Sequence, residues 1–176
     1  MTGAMCAVLT ACNSTSAFDE RVTLAETLLD DISTAGATPV LAMPTSGSAD
    51  YTGVSIVEFA ESEVFLGAAQ VSVGFAGAGT VTGILNNFRD ESDEAIGGAL
   101  TISGGTISGN SIDFNTAGTL DVSRSGPALS VDIDVDNSGG FSGHNAKYLT
   151  TLGIGTADFS DASTNDVGIL IVGEAN

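Results

Sequence analysis

Few side chains in this 176-residue chain are placed by sequence for chemistry. In "VDIDVDNSGG", Asp132, Asp134 and Asp136 alternate with Val131, Ile133 and Val135. Alternate residues of a strand share one face, so the three carboxylates would line up as candidate oxygen ligands for a hard cation such as calcium. Two features oppose that chemistry. An EF-hand loop starting at Asp132 needs Gly at its sixth position and Glu at its twelfth, where this chain has Asn137 and Gly143. Alternate strand positions also lie about 7 Å apart, too far for three carboxylates to reach one ion. A solvated strand face is therefore expected. His144, the one histidine, could serve as a general base or a haem ligand with Tyr148 nearby, but it sits in a glycine-rich turn and is expected to be exposed. One histidine leaves little material for a Ser-His-Asp or metal-hydrolase site. "GFAGAG" has glycine spacing of a kind seen in phosphate loops, yet no helical pattern follows, so a hairpin turn is expected there. "RDESDE" reads as a solvated loop tip. No catalytic residue, metal ligand or cofactor is assigned, and no enzyme is expected.

The cysteines, Cys6 and Cys12, raise a different kind of chemistry. They could form a short-range disulfide, or remain as buried thiols in a first strand. A third reading rests on Leu9-Thr10-Ala11-Cys12, which resembles the bacterial lipobox: a hydrophobic residue and two small ones ahead of a cysteine that is acylated and becomes the new N-terminus. Small side chains fit a peptidase cleft, and the residues before them are apolar enough to lie in a membrane. On this reading Cys6 is removed, Cys12 carries the lipid, and "NSTS" is the start of a tether. Only 11 residues precede Cys12 and none is Lys or Arg, so segment 1–12 reads as an incomplete signal. Two or three acyl chains would anchor the chain stably.

The charge balance excludes some partners. There are 22 acidic residues against 4 basic ones, a formal net charge of −18, and Arg21, Arg89, Arg124 and Lys147 are the only cations. A nucleic-acid binder needs a basic face to displace counterions from phosphate, which four scattered cations cannot build. The same field repels anionic lipid surfaces and keeps the chain soluble.

The elements that must position these residues follow from periodicity. Residues 18–33 are the one good helical stretch, with Phe18, Val22, Ala25, Leu29 and Ile32 on one face, acids Asp19 and Glu20 near its start and Gly36 beyond its end. Residues 34–50 hold two prolines and small residues and read as a connector. From Tyr51 the texture becomes strand-like. "YTGVSIVEF", "SEVFLGAAQVSVGF" (its glycine marking a bend or bulge) and "TVTGILNNF" are the first three strands. "ALTISGGTISGNSIDF" reads as two strands about a Gly104-Gly105 hairpin turn. "GTLDVS" and "ALSVDIDVD" flank a turn "RSGP", and "NAKYLTTLGIGTADF" and "VGILIVG" complete the set. Hairpin-length links without helices require antiparallel neighbours. The expected fold is all-β: an eight-stranded antiparallel up-and-down barrel preceded by a short N-terminal helix, which removes bare edges by closure. Its interior should be filled by Val, Ile, Leu, Phe and small residues. A membrane-spanning barrel is not expected. The chain has no Trp and 2 Tyr, and "VDIDVD" would put carboxylates on lipid or in a tight lumen. The organisation is segment 1–12 as signal, 13–50 as tether, helix and connector, and 51–176 as barrel.

The strand texture is more specific than a generic barrel. "MPTSGSADYTGVSIVEF" followed by "VSVGFAGAGTVTGILNNF" resembles the opening of the barrel domain in the transferrin-binding protein B family of surface lipoproteins. "GALTISGGTISGNSIDF" resembles its next hairpin, and "GGFSGHNAKYL" its Gly-Phe-Tyr-Gly-Pro-Asn-Ala signature. The resemblance spans residues 43–173 and is strongest to small single-barrel members of alphaproteobacteria. Ser142 replaces the signature's usual aromatic, His144 its proline, and "LTTLGIG" the Gly-Gly that usually follows. The resemblance implies the barrel, a lipid anchor at Cys12 and a Gram-negative outer-membrane address, on either the cell surface or the periplasmic face. It does not imply transferrin binding, which lies in loops of larger two-lobed members. The expected role is binding of a protein or small ligand through rim loops, with the membrane touched only through the anchor and no nucleic acid bound. The alternatives are a structural surface component without ligand, or a carrier of haem or a metal compound.

Overall fold

The computed structural model describes residues 15–60, 63–122 and 129–176. One helix, α1 (Ala17–Ala35), precedes eight strands: β1 (Ser48–Phe59), β2 (Val64–Gly74), β3 (Thr80–Arg89), β4 (Ala95–Ser108), β5 (Ser111–Val122), β6 (Leu129–Ser142), β7 (Tyr148–Phe159) and β8 (Thr164–Ala175). Each strand pairs antiparallel with its neighbours in sequence, and β8 returns to β1 with Tyr51 opposite Ala175 and Phe59 opposite Val167, closing the barrel. This is the expected up-and-down architecture.

Period-two burial drives the closure. On β6, Val131, Ile133 and Val135 point inward and are buried, while the aspartates between them are exposed. Inward residues from all eight strands merge into one core. Two aromatic clusters seal its ends. Phe59 packs against Phe65 and Phe159 at one, with ring centroids 5.4 and 5.8 Å apart. At the other, Phe141 packs against Tyr51 and Phe75 at 6.0 and 5.7 Å. Aromatic burial of this kind dominates core energetics. Among the apolar and small residues expected inside, four inward side chains are polar, Ser55, Thr116, Asn137 and Thr151, none more than 3% exposed. They occupy the inward phase of their strands, where alternation places whatever residue falls there.

Bending the sheet into a tight cylinder needs glycine where strands crowd. A Cβ on Gly53 would stand 2.0 Å from the Val172 carbonyl oxygen on β8, so no side chain fits there without moving backbone. The register shifts between Leu66 and Ala68 on β2, the bulge expected at that strand's glycine. The Gly104-Gly105 pair is not a hairpin turn. β4 runs through it to Ser108, and the two-residue turn is Gly109-Asn110, between paired Ser108 and Ser111. Gly104, at φ +68°, forms a bulge instead, where the register shifts between Ser103 and Thr106. A left-handed glycine serves either structure, and pairing with β5 selects the bulge. "GTLDVS" is correspondingly not a separate strand: Gly118–Val122 is the second half of β5. The turn "RSGP" lies outside the described residues.

The helix packs on the outer wall. Ser16 caps it through its hydroxyl, accepting from the Asp19 N–H at 3.0 Å. Ala25 and Leu28 bury against Val54, Leu66, Tyr148 and Val172, a second core separate from the barrel interior. Leu29, expected on this face, is 37% exposed, and Leu28, at 4%, takes its place. Phe18, Val22 and Ile32 pack against the same cluster, as expected, and beside them the Arg21 guanidinium donates to the Leu66 carbonyl at 2.8 Å. No helix among the described residues is long and apolar enough to cross a membrane.

Candidate functional site

Strand direction sorts the connections between two ends of the barrel. One end, the loop rim, carries the links 60–63, 90–94 and 160–163. The other, the capped rim, carries the turns 75–79, 109–110 and 143–147 and the segment 36–47.

The capped rim is closed by the connector. Thr38 donates its N–H to the Phe141 carbonyl and its hydroxyl to that of Gly143, and Asn110 donates to the Thr38 carbonyl. Met43 enters the barrel core beside these turns. Below it the Tyr51 hydroxyl donates to the Ala146 carbonyl, and burial pushes the phenol pKa up. A short 3₁₀ turn, Val40–Ala42, stands proud of the plug. Leu41 is fully exposed and Val40 is 60% exposed. None of the four segments forming this rim contains an acidic side chain.

His144 lies exposed in the 143–147 turn. The Tyr148 hydroxyl accepts from Lys147 at 2.8 Å and donates to Asp31 at 3.4 Å. Lys147 also pairs with Glu174 at 2.9 Å, and these two bonds hold its ammonium pKa up. The pair is solvent-exposed, so it adds little to stability.

The loop rim has the opposite character. Its described links hold Glu63, Asp90, Glu91, Asp93, Glu94 and Asp161. The 90–94 loop is not merely a solvated tip. Asp90 accepts from the Ser92 and Glu94 N–H groups, and Asp93 accepts from the Phe18 N–H at 3.0 Å, tying the helix N-terminus to this end. Arg89 donates to the Asp93 carbonyl at 2.9 Å. Burial and the neighbouring Arg89 push the Arg21 guanidinium pKa down, and Asp93 partly offsets them. Sequence reading assigned these residues no joint role. The Asp-x-x-Asp spacing of a tight loop signals the turn, but not its helix partner.

Asp132, Asp134 and Asp136 lie in line on the outer wall, as their alternation requires. Their partners are neutral: Thr119 donates to Asp132 and Asn115 to Asp134, both at 2.6 Å. Asp158 stands directly opposite Asp132 on β7. Among the described residues no three His, Cys, Asp or Glu side chains converge as a metal site requires. Carboxylates along β5, β6 and β7 make this wall unfit to face lipid. Cys12 lies outside the described residues.

Surface grooves of about 200–350 Å³ beside the helix, on the β5–β6 wall and at both rims sit at or below the small end of ligand pockets, and none gathers a nucleophile with a base. What the molecule offers is two chemically different rims on a filled, closed β-barrel. No family model matches the sequence, and no curated protein is similar enough to match it. Solved structures do match the fold. A vaccine antigen from Haemophilus parasuis Hp5, transferrin binding protein B carrying a single Trp-to-Ala mutation, aligns with TM-score 0.56 and 17% identity. A Tyr-to-Ala, Trp-to-Ala double mutant of it aligns with TM-score 0.51 and 20% identity. The alignments cover 79% of this chain but only 29% and 28% of those. This chain therefore has a barrel like one found in transferrin binding protein B, and spans under a third of that protein's length.

Proposed function

We propose that this chain is a lipid-anchored binding protein of the Gram-negative outer membrane, acylated at Cys12, that contacts a protein or small ligand through rim loops. The observation that carries the reading is the likeness of its barrel to one in transferrin binding protein B, a binding protein by name. The "LTAC" motif at Cys12 supports the anchor. Transferrin itself is not proposed as the ligand, because the likeness covers under a third of that protein.

Two measurements test the reading. The first places a basic, apolar export leader ahead of Leu9 and follows this chain and its Cys12→Ser variant in a Gram-negative host. The parent should enter the outer-membrane fraction with a diacylglyceryl mass increment on Cys12, and the variant should not. An unmodified parent in the soluble fraction overturns the anchor. The second is a pull-down from native membranes. A stoichiometric protein or small molecule supports binding. An abundant protein that captures nothing favours a structural surface role instead, and a coloured or metal-rich preparation favours a carrier.

A further inference from the structure

We propose that the barrel stands on the membrane with its loop rim toward the bilayer and its capped rim, with Val40 and Leu41 at the apex, facing away. The inference rests on the acylation of Cys12 proposed above. Four residues, Asn13 to Ser16, separate Cys12 from the first residue of α1. Even fully extended, that link reaches about 18 Å. The start of α1 is fastened to the loop rim by the bond from the Phe18 N–H to Asp93 and by Arg21 on the Leu66 carbonyl. From there the 19-residue helix runs about 28 Å along the wall. Its other end is fastened to the capped rim, where the Gly143 N–H donates to the Gly36 carbonyl. The buried Ala25 and Leu28 hold the helix to the wall between those points. The tether is thus shorter than the helix, and a lipid on Cys12 reaches the loop rim but not the capped one.

Charge opposes close contact of the loop rim with the bilayer and sets the stand-off. Carboxylates of the 90–94 loop repel anionic headgroups, but that repulsion decays over about 8 Å at physiological ionic strength, within the reach of the tether. The barrel is therefore held off the surface rather than expelled from it. A barrel lying on its helix side would press Glu20, Glu26 and Asp30 against headgroups, all three exposed on α1. The capped rim, free of acidic side chains in its turns, is the end left for solvent and partners.

The test uses acylated protein reconstituted into phosphatidylethanolamine–phosphatidylglycerol vesicles that carry a headgroup-linked collisional quencher. A fluorophore is attached in separate samples through Ser92→Cys, Glu91→Cys or Leu41→Cys. Quenching at positions 91 and 92 is expected to exceed that at position 41 several-fold. Equal quenching at the three positions, or stronger quenching at position 41, overturns the orientation. The mass of the Cys12 peptide is read on each sample. Acylated Cys12 with the wrong quenching order sinks the orientation alone, whereas unmodified Cys12 sinks the anchor and the orientation with it. Two labels in one loop guard against a local effect of either substitution.

Discussion

At the scale of single residues, the two most telling side chains are buried ones that carry oxygen. Tyr51 spends its hydroxyl on the Ala146 carbonyl, bridging β1 to the 143–147 turn. Tyr51→Phe leaves that buried carbonyl without its donor and should cost about 1–2 kcal/mol in urea unfolding. The pH dependence has a definite sign. The folded phenol pKa lies above the ordinary value of 10, so the unfolded chain ionises first as pH rises. The stabilisation is fully present below about pH 10 and is lost above it. Unfolding curves of parent and Tyr51→Phe should therefore converge as pH rises past 10, and a constant gap would refute this account. Thr116 is the reverse case. Its hydroxyl is buried inside the barrel without a partner. Thr116→Val keeps the shape and removes the unpaired group, so it should be neutral or stabilise by up to about 1 kcal/mol. A loss above 1 kcal/mol would mean the hydroxyl has a partner the geometry does not reveal. Tyr51 was readable as a strand residue in "YTGVSIVEF". Its bond to a turn 95 positions away was not, because nothing local encodes that pairing.

At the scale of elements, the helix and barrel are separate cores joined by a thin apolar seam. Leu28→Ala should cost about 2–3 kcal/mol against chemical denaturant, since it empties a site 4% exposed between α1 and the wall. Because the inner core does not include Leu28, hydrogen exchange should accelerate in α1 while β3 to β6 stay protected. Equal acceleration in helix and strands would show one cooperative unit instead. The helix was legible from its apolar period, yet the choice of Leu28 over Leu29 was not, because it depends on the outer-wall side chains Val54, Leu66, Tyr148 and Val172 that the helix meets. The Gly104 region shows the same limit. A left-handed glycine suits both a turn and a bulge, and only the twelve-residue β5 lying alongside decides between them.

At the scale of the whole molecule, charge is the dominant fact. The formal net charge of −18 includes Asp132, Asp134, Asp136 and Asp158 crowded on one wall, with no Lys or Arg on β5, β6 or β7. Self-repulsion of this kind destabilises a compact state and is removed by screening. Raising sodium chloride from 10 mM to 500 mM should raise the thermal midpoint by roughly 2–4 °C or more, equivalent to about 1 kcal/mol for a chain of this size. A flat response in differential scanning calorimetry would show that the neutral partners Thr119 and Asn115 already absorb the repulsion. Carboxylates also gather in the loop-rim links, whereas the turns of the capped rim carry none of their own. This asymmetry is invisible in overall composition and appears only once alternate loops are sorted to opposite ends.

By itself the sequence determined the strand period, the antiparallel order and the outward aspartate row, since each depends on residues a few positions apart. The bulge at Gly104, the pairing of polar side chains inside the barrel, the Met43 plug and the helix seam were decided by tertiary structure alone. Each of these depends on which strand lies beside which and at what register. A closed sheet settles all of its registers together, and no local window contains that information.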